Sequence, residues 1–159
     1  MINTALVSFG MSGKVFHAPF IAANPNFNLV GSWERSTKNI VATYPGTKSY
    51  NSYEELLADS NIDLVVVNSP NDSHFAYVKS ALLAGKHVVC EKAFTNTSAE
   101  AQELDELANK KGLKLAVYQN RRYDADFLTI QKLISEGEIG DFLDVQISFE
   151  RYRTTLSPK

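Results

Sequence analysis

Apolar residues fall along this chain in short, mostly β-branched runs, separated by longer stretches in which they recur at helical spacing. That alternation predicts strands buried on both faces and joined by helices. Residues 2–9 form the first run, and a helix is expected over 12–23, made irregular by Pro19, which removes an N–H from its interior. Strands follow at 27–33 and 48–50, then a helix whose start, Ser52-Tyr53-Glu54-Glu55, has capping-box spacing. Leu64-Val65-Val66-Val67 centres a strand at 63–68, and a helix over residues 73–84 ends at Gly85. A strand at 86–90, a helix over 97–111 ending at Gly112, and a strand at 113–118 complete the series. The pattern predicts an α/β fold, a doubly wound parallel sheet with right-handed crossovers.

The last segment reads differently. After a helix over 123–135 and the turn Glu136-Gly137-Glu138-Ile139-Gly140, residues 142–153 alternate, with Leu143, Val145, Ile147 and Phe149 on one face and Asp144, Gln146, Ser148 and Glu150 on the other. This predicts a half-buried, antiparallel-type strand, and nothing left in the chain can pair with it. Its partners are expected in a further domain or a second copy of the chain. Residues 1–122 are thus expected to form one domain, and 123–159 the connecting helix and first strand of an incomplete second α/β domain.

Composition narrows the function classes. The chain has 159 residues, enough for a substantial core, and its 16 Lys+Arg nearly balance 18 Asp+Glu. With no basic block, neither nucleic acid nor an anionic membrane is an expected partner. A single cysteine, Cys90, rules out an internal disulfide framework and a cysteine-based zinc site, and no metal is expected. The first four residues carry no cationic leader and no run is long enough to span a bilayer, so a cytoplasmic protein is expected.

The chemistry-bearing residues cluster in register with the strands. Ser8-Phe9-Gly10-Met11-Ser12-Gly13 has the spacing of the dinucleotide fingerprint G-x-G-x-x-G with serine in the first place. Gly10 would let backbone approach a pyrophosphate, and Gly13 would let the helix pack on the strand. The N–H groups opening that helix, at Met11 and Ser12, would face the anion. Such a turn also occurs at ordinary strand–helix corners, so the rest of the chain has to decide. Glu34 lies 21 residues past Gly13, where a dinucleotide site needs a carboxylate for the adenosine ribose. It favours NAD by repelling a 2′-phosphate, whereas Arg35, Ser36 and Lys38 would accommodate NADP. Ser69, Pro70 and Asn71, Glu91 and Lys92, and Gln119 and Asn120 also sit just past strand carboxyl ends, where open α/β sheets bind ligands. His17 and His74 each have a structural reading beside a functional one.

Together with the glycine turn, three blocks carry a resemblance. They are Asp63-Leu64-Val65-Val66-Val67 leading to Ser69-Pro70-Asn71, Gly85-Lys86-His87-Val88-Val89-Cys90-Glu91-Lys92, and Tyr118-Gln119-Asn120-Arg121-Arg122-Tyr123. Over essentially its whole length the chain resembles the glucose-fructose oxidoreductase and inositol dehydrogenase (Gfo/Idh/MocA) family. The resemblance implies an N-terminal Rossmann domain that binds NAD or NADP and a C-terminal α/β domain that binds substrate and mediates oligomerisation. It implies hydride transfer between nicotinamide and a CH–OH or C=O group of a sugar, cyclitol or similar small polyol, with Lys92 beside the reacting carbon and Glu91 holding or tuning it. Asn71, His74 and Asn120 would line the nicotinamide end. The family's second acid–base pair lies in the C-terminal domain, so this chain alone is expected to bind dinucleotide with little turnover. A homo-oligomer is expected, with residues 142–153 as one route to it. Two residues depart from the family pattern: Ser8 replaces its first glycine, and Ala93 its proline after the Glu-Lys pair. A non-catalytic dinucleotide-binding or interaction module is the alternative reading.

Overall fold

The computed structural model describes residues 1–150 and 152–155, which fall into two compact units, residues 1–119 and the described residues from Asn120 onward. The first unit is built on six parallel strands, β1 (Ile2–Leu6), β2 (Phe27–Trp33), β3 (Lys48–Tyr50), β4 (Leu64–Val67), β5 (His87–Cys90) and β6 (Leu115–Val117), in the spatial order β3-β2-β1-β4-β5-β6. The order reverses between β1 and β4, and a crevice opens at the carboxyl ends of such a pair.

Continuous apolar strands make this sheet possible because both faces are covered. Along β4, Val65 and Val67 point into one core and Val66 into the other. The first core joins them to Leu56 of α3 (Tyr53–Ala58), to Val78, Ala81 and Leu82 of α4 (His74–Leu83), and to Leu104 and Ala108 of α5 (Ser98–Lys111). The second packs Leu6, Phe9, Leu29 and Val66 on Ala18 of α1 (Ala18–Ala23) and Ile40 of α2 (Asn39–Thr43). Each Val, Leu, Ile or Phe among them taken fully out of water contributes about 1.5 to 3 kcal/mol.

The first helix is irregular, as Pro19 predicts. A π-helical segment, Gly13–His17, runs into α1 and places Pro19 at the start of the regular helix, where a missing N–H is tolerated. The helix ends at Gly85 and Gly112 hold, both glycines adopting positive φ. A capping box forms at Thr97 and Glu100. At Ser52 only half of one forms: the hydroxyl accepts from Glu55 N–H, while the Glu55 carboxylate takes the N–H of Asn51 and pairs with Lys48.

Two elements differ from the reading of the sequence. Helix α2 was not expected, and three of its five residues, Ile40, Val41 and Thr43, are β-branched. It forms because the carboxylate of Glu34 caps it. No strand is present in residues 142–150 and 152–155, the described part of the segment around 142–153 expected to form one, and Arg151 lies outside the described residues. A strand exists only as part of a ladder, and an isolated one is not stable in water. In this second unit a 3₁₀ turn, Asn120–Tyr123, precedes α6 (Ala125–Ser135), and Arg121 pairs with Asp124 at 2.6 Å. Phe127, Leu128, Ile130, Leu143, Ile147 and Phe149 are exposed. Among the described residues no helix is long and apolar enough to cross a membrane.

Candidate functional site

The crevice is assembled by one amide side chain that continues the β1–β4 ladder past its last strand residues. Asn68 Oδ1 accepts from Ser8 N–H at 2.9 Å and Asn68 Nδ2 donates to Ser8 C=O at 2.9 Å, while Ser8 Oγ donates to Asn68 C=O at 3.2 Å. Serine in the first fingerprint position is thereby held by both its backbone groups and its hydroxyl. The two glycines then divide their tasks as the fingerprint requires. A Cβ on Gly13 would sit 2.6 Å from Ser8 C=O and 3.0 Å from Asn68 Nδ2, so this glycine permits helix and strand to touch. A Cβ on Gly10 would find nothing nearer than Ser8 Oγ at 3.9 Å, so the chain itself does not require glycine there. The space belongs to whatever approaches the turn, which is the arrangement a pyrophosphate needs. Met11 beside it is exposed.

Next to the turn lies a cleft of about 300 Å³. Of the residues expected there, Ser8, Arg35, Ser69 and Pro70 line it, joined by Trp33, Asp72, Ser73 and Tyr77, which the sequence reading did not single out. Trp33 and Tyr77 belong to an aromatic cluster with Tyr53, the three ring pairs separated by 4.9 to 5.7 Å. Asn71 opens the 3₁₀ turn, Asn71–Ser73, beyond Pro70.

Two expected ligand residues are committed elsewhere. Glu34 is 9% exposed, and its carboxylate accepts from Ser32 Oγ (3.3 Å), Thr37 Oγ1 (2.9 Å), Asn39 N–H (3.0 Å) and Ile40 N–H (3.0 Å). Through the two backbone bonds it caps the start of α2. His74 is fully buried; Nδ1 faces Ala93 C=O at 2.8 Å and Nε2 faces Ser69 C=O at 2.9 Å. Both ring nitrogens clamp main chain, so His74 orders the loops around the cleft and does not line it. The same clamp holds the backbone at Ala93, where the Lys92–Ala93 peptide is cis.

At the end of β5 a second polar cluster forms around Glu91. Oε1 accepts from Ser12 Oγ at 2.7 Å and faces His17 Nε2 at 2.9 Å, while Oε2 accepts from Lys92 N–H at 3.1 Å. Burial alone would raise the Glu91 pKa, and the bonds from Ser12, His17 and the Lys92 amide outweigh it, so the carboxyl ionises below its ordinary range. An ionised carboxylate only accepts, so His17 Nε2 carries the proton between them. Burial also pushes the His17 imidazole below its ordinary value of 6.5, against the upward pull of Glu91. The ring packs on Tyr118 at 4.4 Å between centroids. Neighbouring Cys90 is buried, its thiol pushed up to about 12 by burial first and then by Glu91, which leaves it a core residue as expected. Lys92 itself is exposed.

The His17 shift has a thermodynamic consequence. Because the folded state holds this imidazole neutral and the unfolded chain does not, protons favour unfolding once pH falls below the ordinary histidine value. Thermal stability is expected to decline between roughly pH 7 and pH 5, and His17→Gln to flatten that slope. Melting curves of the two proteins across that window check it; parallel slopes would contradict it.

The model of the Gfo/Idh/MocA family, described as an oxidoreductase family with an NAD-binding Rossmann fold, matches residues 2–119. This chain belongs to that family. An uncharacterised oxidoreductase of Schizosaccharomyces pombe is 48% identical over 157 residues, covering 96% of the chain and 42% of that protein. The Bacillus subtilis protein named scyllo-inositol 2-dehydrogenase (NADP(+)) is 38% identical over 158 residues, covering 99% of the chain and 44% of that protein. A crystal structure of a candidate oxidoreductase from Bacteroides fragilis superposes with a TM-score of 0.92 at 48% identity, covering 98% of the chain and 46% of its own. The chain thus spans less than half the length of these relatives. The Gfo/Idh/MocA assignment accounts for the parallel sheet, its strand order and the glycine turn at its switch point.

Proposed function

We propose that the crevice binds NADP(H) and that the chain supplies the cofactor half of an oxidoreductase acting on a sugar, cyclitol or similar small polyol. The observation that supports the cofactor choice is the lining of the cleft, which includes Arg35 and not Glu34, whose oxygens cap α2. Arg35, the next residue, lines the cleft and offers a guanidinium to that phosphate. The NADP-linked name of the Bacillus subtilis relative agrees. The spacing of Glu34 taken alone favours NAD.

The residues divide the work as follows. Main-chain N–H groups at Met11, Ser12 and Gly13 face the pyrophosphate, with Gly10 leaving room for it. Ser8, Ser69 and Pro70 line the cleft, Asn71 is the residue after Pro70, and Glu91 orders the turn through Ser12. A bound nicotinamide supplies hydride exchange with the carbinol carbon. As a CH–OH group is oxidised its oxygen must lose a proton, and the Lys92 ammonium stabilises the developing alkoxide.

Paired variants test the cofactor assignment. Arg35→Ala is expected to weaken NADPH binding about tenfold and to leave NADH binding within about twofold. Glu34→Ala is expected to lower stability by about 2 kcal/mol, through loss of the α2 cap and its buried bonds, without changing the ratio of the two affinities. Equilibrium titrations and denaturation curves separate the two effects. A Glu34→Ala protein whose NADH affinity collapses selectively would assign the ribose role to that residue.

A further inference from the structure

The cofactor reading gives the glycine turn and Lys92 separate tasks, yet the structure ties them together through a buried histidine. His17 is 4% exposed and closes the π-helical segment Gly13–His17 that follows the turn. Single π turns inside helices recur at functional sites. The last residue of this one, His17, reaches 74 residues along the sequence to Glu91 at 2.9 Å. Tyr118 closes the far side, its ring on the imidazole and its hydroxyl donating to Phe16 C=O at 3.0 Å. Glu91 in turn holds Ser12 of the turn and the N–H of Lys92. One carboxylate therefore receives the turn, the helix behind it and the lysine loop.

We propose that His17 is a positioning residue for Lys92, acting through Glu91 so that seating a dinucleotide on the glycine turn fixes the lysine loop. The inference rests on the reading of the crevice as a dinucleotide site and adds to it a mechanical link between cofactor and lysine. The link follows from the sharing of acceptors. Glu91 has two oxygens for three donors, from Ser12, His17 and Lys92. Withdrawing the His17 donor leaves a partly buried carboxylate short of a partner, and the carboxylate is then free to re-aim toward either of the others. The groups facing the imidazole are Glu91 from β5 and the Tyr118 phenol after β6.

The experiment reads Lys92 without requiring turnover. The purified protein is treated with an amine-acylating reagent with and without saturating NADPH, and acylation of Lys92 is followed by peptide mass spectrometry, the remaining lysines serving as internal standards. NADPH affinity is measured in parallel by emission of Trp33, the one tryptophan of the sequence. In the unaltered protein NADPH is expected to slow Lys92 acylation about tenfold. His17→Leu keeps the volume and removes the donor; its Lys92 is expected to lose that protection even at saturating NADPH. His17→Gln restores an N–H donor and is expected to restore most of the protection, a rescue that a purely space-filling role would not show. Should His17→Leu fail to fold, Glu91→Gln serves, since its amide presents an N–H₂ group where one of the three donors needs an acceptor, and loss of protection is again expected. Lys92 protected in His17→Leu or Glu91→Gln as fully as in the unaltered protein would overturn the proposal, whatever the affinity. Failure of the unaltered protein to bind NADPH or NADH at all would instead overturn the dinucleotide reading on which it stands.

Discussion

Lys92→Met is expected to lower kcat/KM for polyol oxidation by about a thousandfold, the effect of removing a positioned acid that meets charge only as it develops. Methionine keeps the length and the apolar stem of lysine while deleting the ammonium, so the loss reports charge and proton handling and not a hole in the loop. The backbone N–H of residue 92 still reaches Glu91, and the turn keeps its Ser12 bond. Dinucleotide affinity is therefore expected to stay within about threefold. Steady-state kinetics on a form of the protein that turns over substrate, combined with cofactor titration, check both halves. A fall in cofactor affinity that accounts for the whole loss in kcat/KM would place Lys92 in binding and not in chemistry.

Gly13→Ala is the second large effect, and Gly10→Ala is its control. The alanine Cβ at 13 would meet the Ser8 carbonyl at 2.6 Å and the Asn68 amide at 3.0 Å, neither of which is the loose end of a flexible chain. Asn68 is pinned by two bonds to Ser8, so relief must come from shifting the helix off β1. A loss of about 3 kcal/mol is expected from this overpacking, with the turn displaced and dinucleotide affinity falling together with stability. At Gly10 the new methyl meets nothing in the chain, so stability should change by less than about 0.5 kcal/mol while dinucleotide affinity still falls. Denaturant midpoints and NADPH titrations on both variants separate a packing glycine from a cradle glycine. Equal stability losses in the two would show that the turn is not divided in this way.

The sheet was legible in the sequence because strands covered on both faces must be continuously apolar, and Leu64-Val65-Val66-Val67 leaves little choice of structure. The location of the site was legible for a topological reason: Ser8, Ser69, Pro70, Glu91 and Lys92 all follow strands, and strand ends in a doubly wound sheet share one edge. What a sequence does not display is direction. Glu34 stands at the spacing of a ribose ligand, yet its carboxylate turns inward to the N-terminus of α2, a helix that β-branched residues conceal. His74 has the chemistry of a ligand residue, but both its nitrogens meet carbonyls of buried main chain. Asn68 carried no signal beyond an amide at a strand end, and only the fold shows it bracing Ser8. Trp33 and Tyr77 carried no distinct signal, and the fold makes them core-packing and cleft-lining at once. Residues 142–150 show the converse limit, since an alternating pattern specifies which face a strand would bury but not the strand it would pair with.

The most direct test of the account is a titration of the unaltered protein with NADPH and with NADH, followed through Trp33 at the rim of the cleft. If the crevice is a dinucleotide site with Arg35 turned to a 2′-phosphate and Glu34 turned away, both cofactors change the emission saturably and NADPH binds about tenfold tighter. NADH binding as tightly as NADPH, or no saturable change with either, would contradict it.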